Sequence, residues 1–187
     1  MANTNAPRGL MPYQLNGEPK CQEYAIASAY GTSIARGDVV ELTGTGRNVQ
    51  LAAAGNVDNL GVFWGVSWVD SQGNQHFGSM WPASTTGSSI KAAVVPFDMP
   101  AQVFEVQCDT LAEANVGLLV DWAAGTMDTV NGQSGLYADL TSGTSTTGMS
   151  LRIVGLVDRV DNAYGQYAKA RVTVVESIYY LSGNGVD

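Results

Sequence analysis

A single histidine, His76, is the only imidazole this 187-residue chain could use to relay a proton. Nucleophilic catalysis needs a base within hydrogen-bond reach of Ser or Cys, and no GxSxG-type elbow accompanies His76. Cys21 and Cys108 lack zinc-finger spacing, and two thiolates with one distant histidine make a poor ligand set. They read as two free, buried thiols in preference to a single bridge. Glycoside hydrolysis would need two flanking acids. However, Asp58, Asp70, Asp98, Asp109, Asp121, Asp128, Asp158 and Asp161 fall mostly at the ends of predicted strands, where aspartate makes turns. Asp70-Ser-Gln-Gly-Asn74 resembles the start of a calcium loop but lacks the closing bidentate glutamate. Gly44-Thr-Gly46 lacks the third glycine and the lysine of a phosphate loop. No catalytic residue, metal ligand or cofactor site is assigned, so the expectation is a protein that is not an enzyme and carries no cofactor.

The aromatic residues are the last candidates for direct chemistry. Trp64, Trp68, Trp81 and Trp122, with eight tyrosines, could line a sugar platform, which would make the chain a carbohydrate-binding β-sandwich module. Packing in a core or a subunit interface is the preferred reading. Trp64 and Trp68 share parity with Val62 and Val66, so all four are predicted on one strand face, buried or turned to a subunit.

The elements that must position these residues are short and β-prone. Glycine is abundant, with 22 residues, and charged residues make up 14% of the chain, well below the usual quarter, which suits tight turns and surfaces packed against neighbours. Strands are predicted over 24–30, 38–43, 48–51, 60–69, 75–81, 90–95, 101–108, 117–122, 151–157 and 170–180, with Asp161-Asn-Ala-Tyr-Gly165 as the loop before the last. In Val103 to Cys108, Val103, Glu105 and Gln107 alternate with Phe104, Val106 and Cys108, the pattern of a strand with one wet face. Thr110 to Asn115 is the best helical candidate and spans a turn or two, while 126–148 is loop or edge. The expected fold is all-β: a single β-barrel or jelly-roll-like sandwich with at most one short helix.

Residues 1–22 differ from the rest. Pro7, Pro12 and Pro19 interrupt any periodicity, and Leu10, Met11, Tyr13 and Leu15 cannot form a core alone. This reads as an extended N-terminal arm that docks on a partner, ahead of a disordered terminus, followed by one β domain over 23–187. The net charge is −8, and the nine Lys and Arg residues are scattered along the sequence. No phosphate-neutralising stripe is legible, which speaks against nucleic acid and anionic membranes as partners. The opening MANTNAPRGLMPYQ has no signal-peptide pattern and no apolar run reaches membrane-spanning length, so synthesis in a cytoplasm is expected.

Several stretches taken in order resemble the decoration (cement) proteins of tailed bacteriophages. These are Ala6-Pro-Arg-Gly-Leu10, Arg36-Gly-Asp-Val-Val-Glu-Leu-Thr43, Ala52-Ala-Ala-Gly55, Leu60-Gly-Val-Phe63 with Gly65, and Trp81-Pro-Ala83. Val103-Phe-Glu-Val-Gln107, Gly132-Gln-Ser-Gly135, Leu151-Arg-Ile-Val-Gly-Leu-Val-Asp158 and Asp161-Asn-Ala-Tyr-Gly165 complete the series, which runs from about residue 5 to 180. Each motif is mostly turn chemistry, and the likeness rests on their order. The resemblance implies a β-rich virion subunit on the outer surface of the head, often a homotrimer, stapling neighbouring major capsid protein subunits, with no active site. Capsid contact is expected at Ala6, Pro7, Arg8, Gly9, Leu10, Met11, Pro12 and Tyr13, and deletion of residues 1–20 is expected to leave a folded trimer that no longer binds capsids.

Overall fold

The computed structural model describes residues 3–14, 20–44, 46–144 and 149–179. Leu15 and Pro19 of the predicted arm, Thr45 of the glycine turn, 145–148 of the long loop and Tyr180 of the last predicted strand lie outside the described residues. In chain order the first strands are β1 (Met11–Gln14), β2 (Gln22–Tyr24), β3 (Ile34–Ala35), β4 (Val39–Leu42), β5 (Val49–Leu51) and β6 (Asn59–Val69). Then come β7 (Gln75–Gly78), β8 (Met80–Trp81), β9 (Ser88–Pro96), β10 (Val103–Gln107), β11 (Thr110–Leu111) and β12 (Leu119–Val120). The remaining described strands are β13 (Trp122–Ala123), β14 (Tyr137–Ala138), β15 (Leu151–Leu156), β16 (Gly165–Gln166) and β17 (Lys169–Val174). The predicted helix over 110–115 is reduced to a 3-10 turn, Glu113–Asn115.

The fold is all-β. Two larger antiparallel sheets carry it, one ordered β1-β10-β17-β15-β12 and the other β2-β9-β6-β4-β5 with β7 added beside β6. They do not close into a single barrel, which corrects that option. Closure requires every edge strand to pair onward, and the two sheets instead stack through their side chains. One core joins Phe104, Val106, Ile153 and Val172 of the five-stranded sheet to Val39, Val62 and Val95 of the six-stranded one. A second core on the far side gathers Val40, Leu60, Phe63, Val66 and Val94 with Ile34 and Trp81 under the short β3-β8 pair.

The sequence pattern explains this layering. Val39-Val40, Val62-Phe63 and Val94-Val95 are apolar doublets whose members enter opposite cores, as expected of a sheet covered on both faces. Strands β10, β15 and β17 alternate instead. In β17, Ala170, Val172 and Val174 are buried while Lys169, Arg171 and Thr173 stay half-buried on the outer face. One predicted face is overturned. Val62 and Trp64 belong to the first core, whereas Val66 and Trp68 belong to the second. The register of β6 against β9 steps from Phe63↔Val94 to Gly65↔Ala93, so Trp64 is an extra residue and the parity of the strand reverses after it.

Candidate functional site

The N-terminal segment is extended, and its described residues 3–14 lie against the body of the protein. Asn3 Nδ2 donates to the carbonyls of Ala163 and Gln166, each at 2.8 Å. Gln107 Nε2 donates to Asn5 Oδ1 and Gln107 Oε1 accepts from the Ala6 N–H, both at 2.8 Å. This explains why Gln107, on the wet face of β10, is 5% exposed. Further along, the Gly9 N–H donates to Leu136 O and the Leu10 N–H to Gly37 O. Strand β1 then pairs antiparallel with β10, Met11 standing opposite Glu105 and Pro12 opposite Phe104. Pro12 has no N–H to give, and at the edge of a sheet that costs nothing.

The eight candidate contact residues therefore separate. Gly9 and Leu10 are buried, Leu10 completely and within the first core, so neither is offered to a partner. Ala6 and Arg8 are exposed, while Pro7, Met11, Pro12 and Tyr13 are half-buried. Deleting this segment would take Leu10 from the core and strip the edge of β10, so a cost in stability is expected beside any loss of binding.

The point where the segment crosses the chain demands glycine twice. Gly9 has φ +73° and Gly37 φ +97°, and a Cβ on Gly9 would lie 2.2 Å from Gly37 O. Beneath this crossing the buried Asp38 carboxylate accepts from the Ala35 N–H at 2.7 Å and from Ser134 Oγ. Ser134 Oγ in turn accepts from the Leu136 N–H at 2.9 Å, and Leu136 O receives Gly9. A carboxylate thus fixes the loop that holds the strip. Burial pushes the Asp38 carboxyl up from 3.8, against the lowering influence of its two hydrogen bonds. Sequence reasoning missed Asp38 and Gln107, because their partners lie about a hundred residues away and leave no local signal.

The chemistry-bearing residues sit elsewhere and are engaged structurally. His76 Nε2 lies 2.8 Å from Asp70 Oδ2 and its ring stacks on Trp68 with centroids 5.2 Å apart. The Asp70 carboxylate also accepts from the backbone of Gln72 and Asn74, so the contacts from His76 and this turn hold its carboxyl well below the usual range. Trp81 and Trp122 are buried, and the half-buried Trp64 lies under the Arg36 guanidinium, 3.7 Å from the ring centroid. Both cysteines are free. Cys108 is buried, its thiol pushed up to about 12, whereas Cys21 is exposed, contrary to expectation.

Two larger hollows open among the described residues. One, of about 620 Å³, is lined by Tyr137, Tyr167, Gln107, Gln166, Asp109 and Thr110 among others. Tyr167 holds a left-handed φ of +59° there, uncommon for a residue with a Cβ. The other, of about 660 Å³, has Gly65, Ala92 and Ala93 on its walls, with the 75% exposed Phe77 also lining it.

The chain matches no family model, no curated protein and no solved structure. The geometry itself must carry the functional reading. Its leading element is the strip, which continues without a break into the outer face of the five-stranded sheet. Met11 faces Glu105, Glu105 faces Arg171 on β17, and Gln107 faces Lys169.

Proposed function

We propose that the chain is a structural virion protein that binds the outer surface of a tailed-phage head and cements neighbouring major capsid subunits, acting as a homotrimer. The observation that supports this best is the pre-fastened strip. Asn3 to Tyr13 is tied to four separate parts of the fold while Ala6, Arg8, Met11 and Tyr13 keep surface for a partner. A contact segment held in place before binding loses little conformational entropy on docking. Three copies in one trimer would make the second and third contacts intramolecular, so patches smaller than the ~1,600 Å² of a standard interface sum to firm attachment. The ordered motif series from Ala6 to Gly165 points to the same reading.

The test is co-sedimentation of the purified protein with undecorated phage heads, alongside its mass in solution. Saturable binding at a fixed ratio to shell subunits, with heads that then resist heat or chelator better, is the expected result. A protein that stays in the supernatant at every concentration would remove the cement reading.

A second reading is favoured by one feature, the cleft around Tyr137 and Tyr167. Two tyrosines beside amide and hydroxyl groups suit a saccharide, whose apolar ring faces stack on aromatics while its hydroxyls hydrogen-bond. A glycan array read with wild type and Tyr167→Ala decides it: glycan binding lost in the variant supports the saccharide site, and no binding by wild type removes it.

A further inference from the structure

Lys and Arg are scattered in the sequence, but the fold collects them. Arg8, Arg152, Arg159, Lys169 and Arg171, five of the chain's nine basic residues, come together on and beside the outer face of the five-stranded sheet. Lys169 and Arg171 alternate along β17, Arg152 stands on neighbouring β15 opposite Thr173, and Arg8 lines the same small hollow as Lys169. Arg159 reaches over from the next turn and grips Glu105 with both nitrogens, at 3.0 and 2.6 Å.

Their state of pairing sets these cations apart. Among the described residues, the side chains of Arg8, Arg152, Lys169 and Arg171 have no ion-pair or hydrogen-bond partner. Elsewhere Arg36 lies over Trp64, Arg47 donates to Glu23 O, and Lys91 pairs with Glu23 at 3.2 Å, so that off this face Lys20 alone among the described cations is also unpaired. The Arg171 Nε is buried without a partner, and its guanidinium occupies the space that a Cβ at Gly155 would need, 3.0 Å away. The acids at this face are Glu105, already held by Arg159, and Asp158 and Asp161 on the turn beside Arg159. The rest of a chain with seventeen acids and a net charge of −8 is therefore strongly acidic.

We infer that this face docks an acidic protein surface, and on the cement reading, on which this identification of the partner rests, that surface belongs to the shell subunits. Unpaired cations held over a sheet gain from opposite charge on a partner, and such complementarity fixes orientation and speeds encounter. Nucleic acid fits less well. Half-buried Met11 lines the hollow with Arg8 and Lys169, and half-buried Tyr13 and Val103 follow it on β1 and β10; these want apolar contact, which a phosphate backbone does not supply.

The experiment uses the full chain and two triple variants of equal net charge. One reverses the face (Arg8→Glu, Arg152→Glu, Lys169→Glu) and the other reverses cations elsewhere (Lys20→Glu, Arg47→Glu, Lys91→Glu). Each is checked for an unchanged melting temperature, with the single variants Arg152→Glu and Lys20→Glu replacing the face triple and the other triple if either fails it. Binding to immobilised poly-L-glutamate is measured at rising salt, beside double-stranded DNA and undecorated heads. The face triple should bind poly-L-glutamate and heads about tenfold more weakly than wild type, with wild-type binding fading as salt screens it, while the other triple stays near wild type. Equal loss in both triples, or wild-type retention on DNA in place of polyglutamate, overturns the inference. Heads bound equally well by the face triple would sink the face and leave the cement reading standing. Heads ignored by wild type, with face-dependent polyglutamate binding intact, would do the reverse.

Discussion

At the residue scale, Asp38 and Gly9 hold the strip from below and above. The folded carboxyl of Asp38 is raised above its ordinary value, chiefly by burial. The stability it contributes is therefore full below about pH 3.8, the unfolded value, and is lost as pH rises through the folded one. Asp70 and Asp128 run the other way, held low by His76 and by Asn131, so a bare pH profile mixes opposing signs. The difference between wild type and Asp38→Asn isolates the effect. Melting temperatures from pH 4 to 8 should show wild type losing ground to the variant as pH rises, and a constant or growing wild-type advantage would contradict it. Gly9→Ala combines a left-handed backbone with a Cβ 2.2 Å from Gly37 O. Denaturant unfolding should show a loss of about 2–4 kcal/mol, from the backbone penalty and overpacking together. A loss under 1 kcal/mol would mean that the crossing relaxes freely.

At the element scale, β1 both supplies Leu10 to the core and covers the edge of β10. Removing residues 1–14 should cost at least the 2–5 kcal/mol typical of emptying a leucine site. It also bares β10 as a sheet edge, so light scattering should reveal aggregation beyond the assembly state of the full chain. An equally stable truncation with that assembly state unchanged would make the strip a mere appendage. How much of this was legible depends on the range of the interaction. The alternation in Val103 to Gln107 is local, and it correctly gave a strand with Phe104 and Val106 inside. The face of Trp68 was misread because a one-residue bulge at Trp64 leaves no mark in composition. The buried seat of Leu10 was missed because it is built by partners such as Gly37 and Leu136, far along the chain, and pattern reading sees neighbours only.

At the scale of the whole molecule, charge is divided between an acidic bulk and a basic outer sheet, an arrangement that only the folded topology creates. The same topology gives β17 a particular position. It is the centre of the five-stranded sheet, with β1 and β10 joined through it to β15 and β12. Without residues 169–174, β10 and β15 have no common neighbour, so a chain ending at Tyr167 should lose the first core while β2, β9, β6, β4 and β5 can still pair. Near-ultraviolet circular dichroism of that truncation should be largely lost for Trp122 and retained in part for Trp68 and Trp81, and an unchanged spectrum would contradict the dependence. The order of events during synthesis follows. A ribosome releases every strand of the six-stranded sheet by Pro96, so that layer can assemble on the emerging chain. The layer that carries the basic face waits until β17, residues 169–174, has left the exit tunnel. On the proposed reading, a chain released only as far as Pro96 would lack the surface with which it engages its target, and the order of synthesis would itself delay attachment.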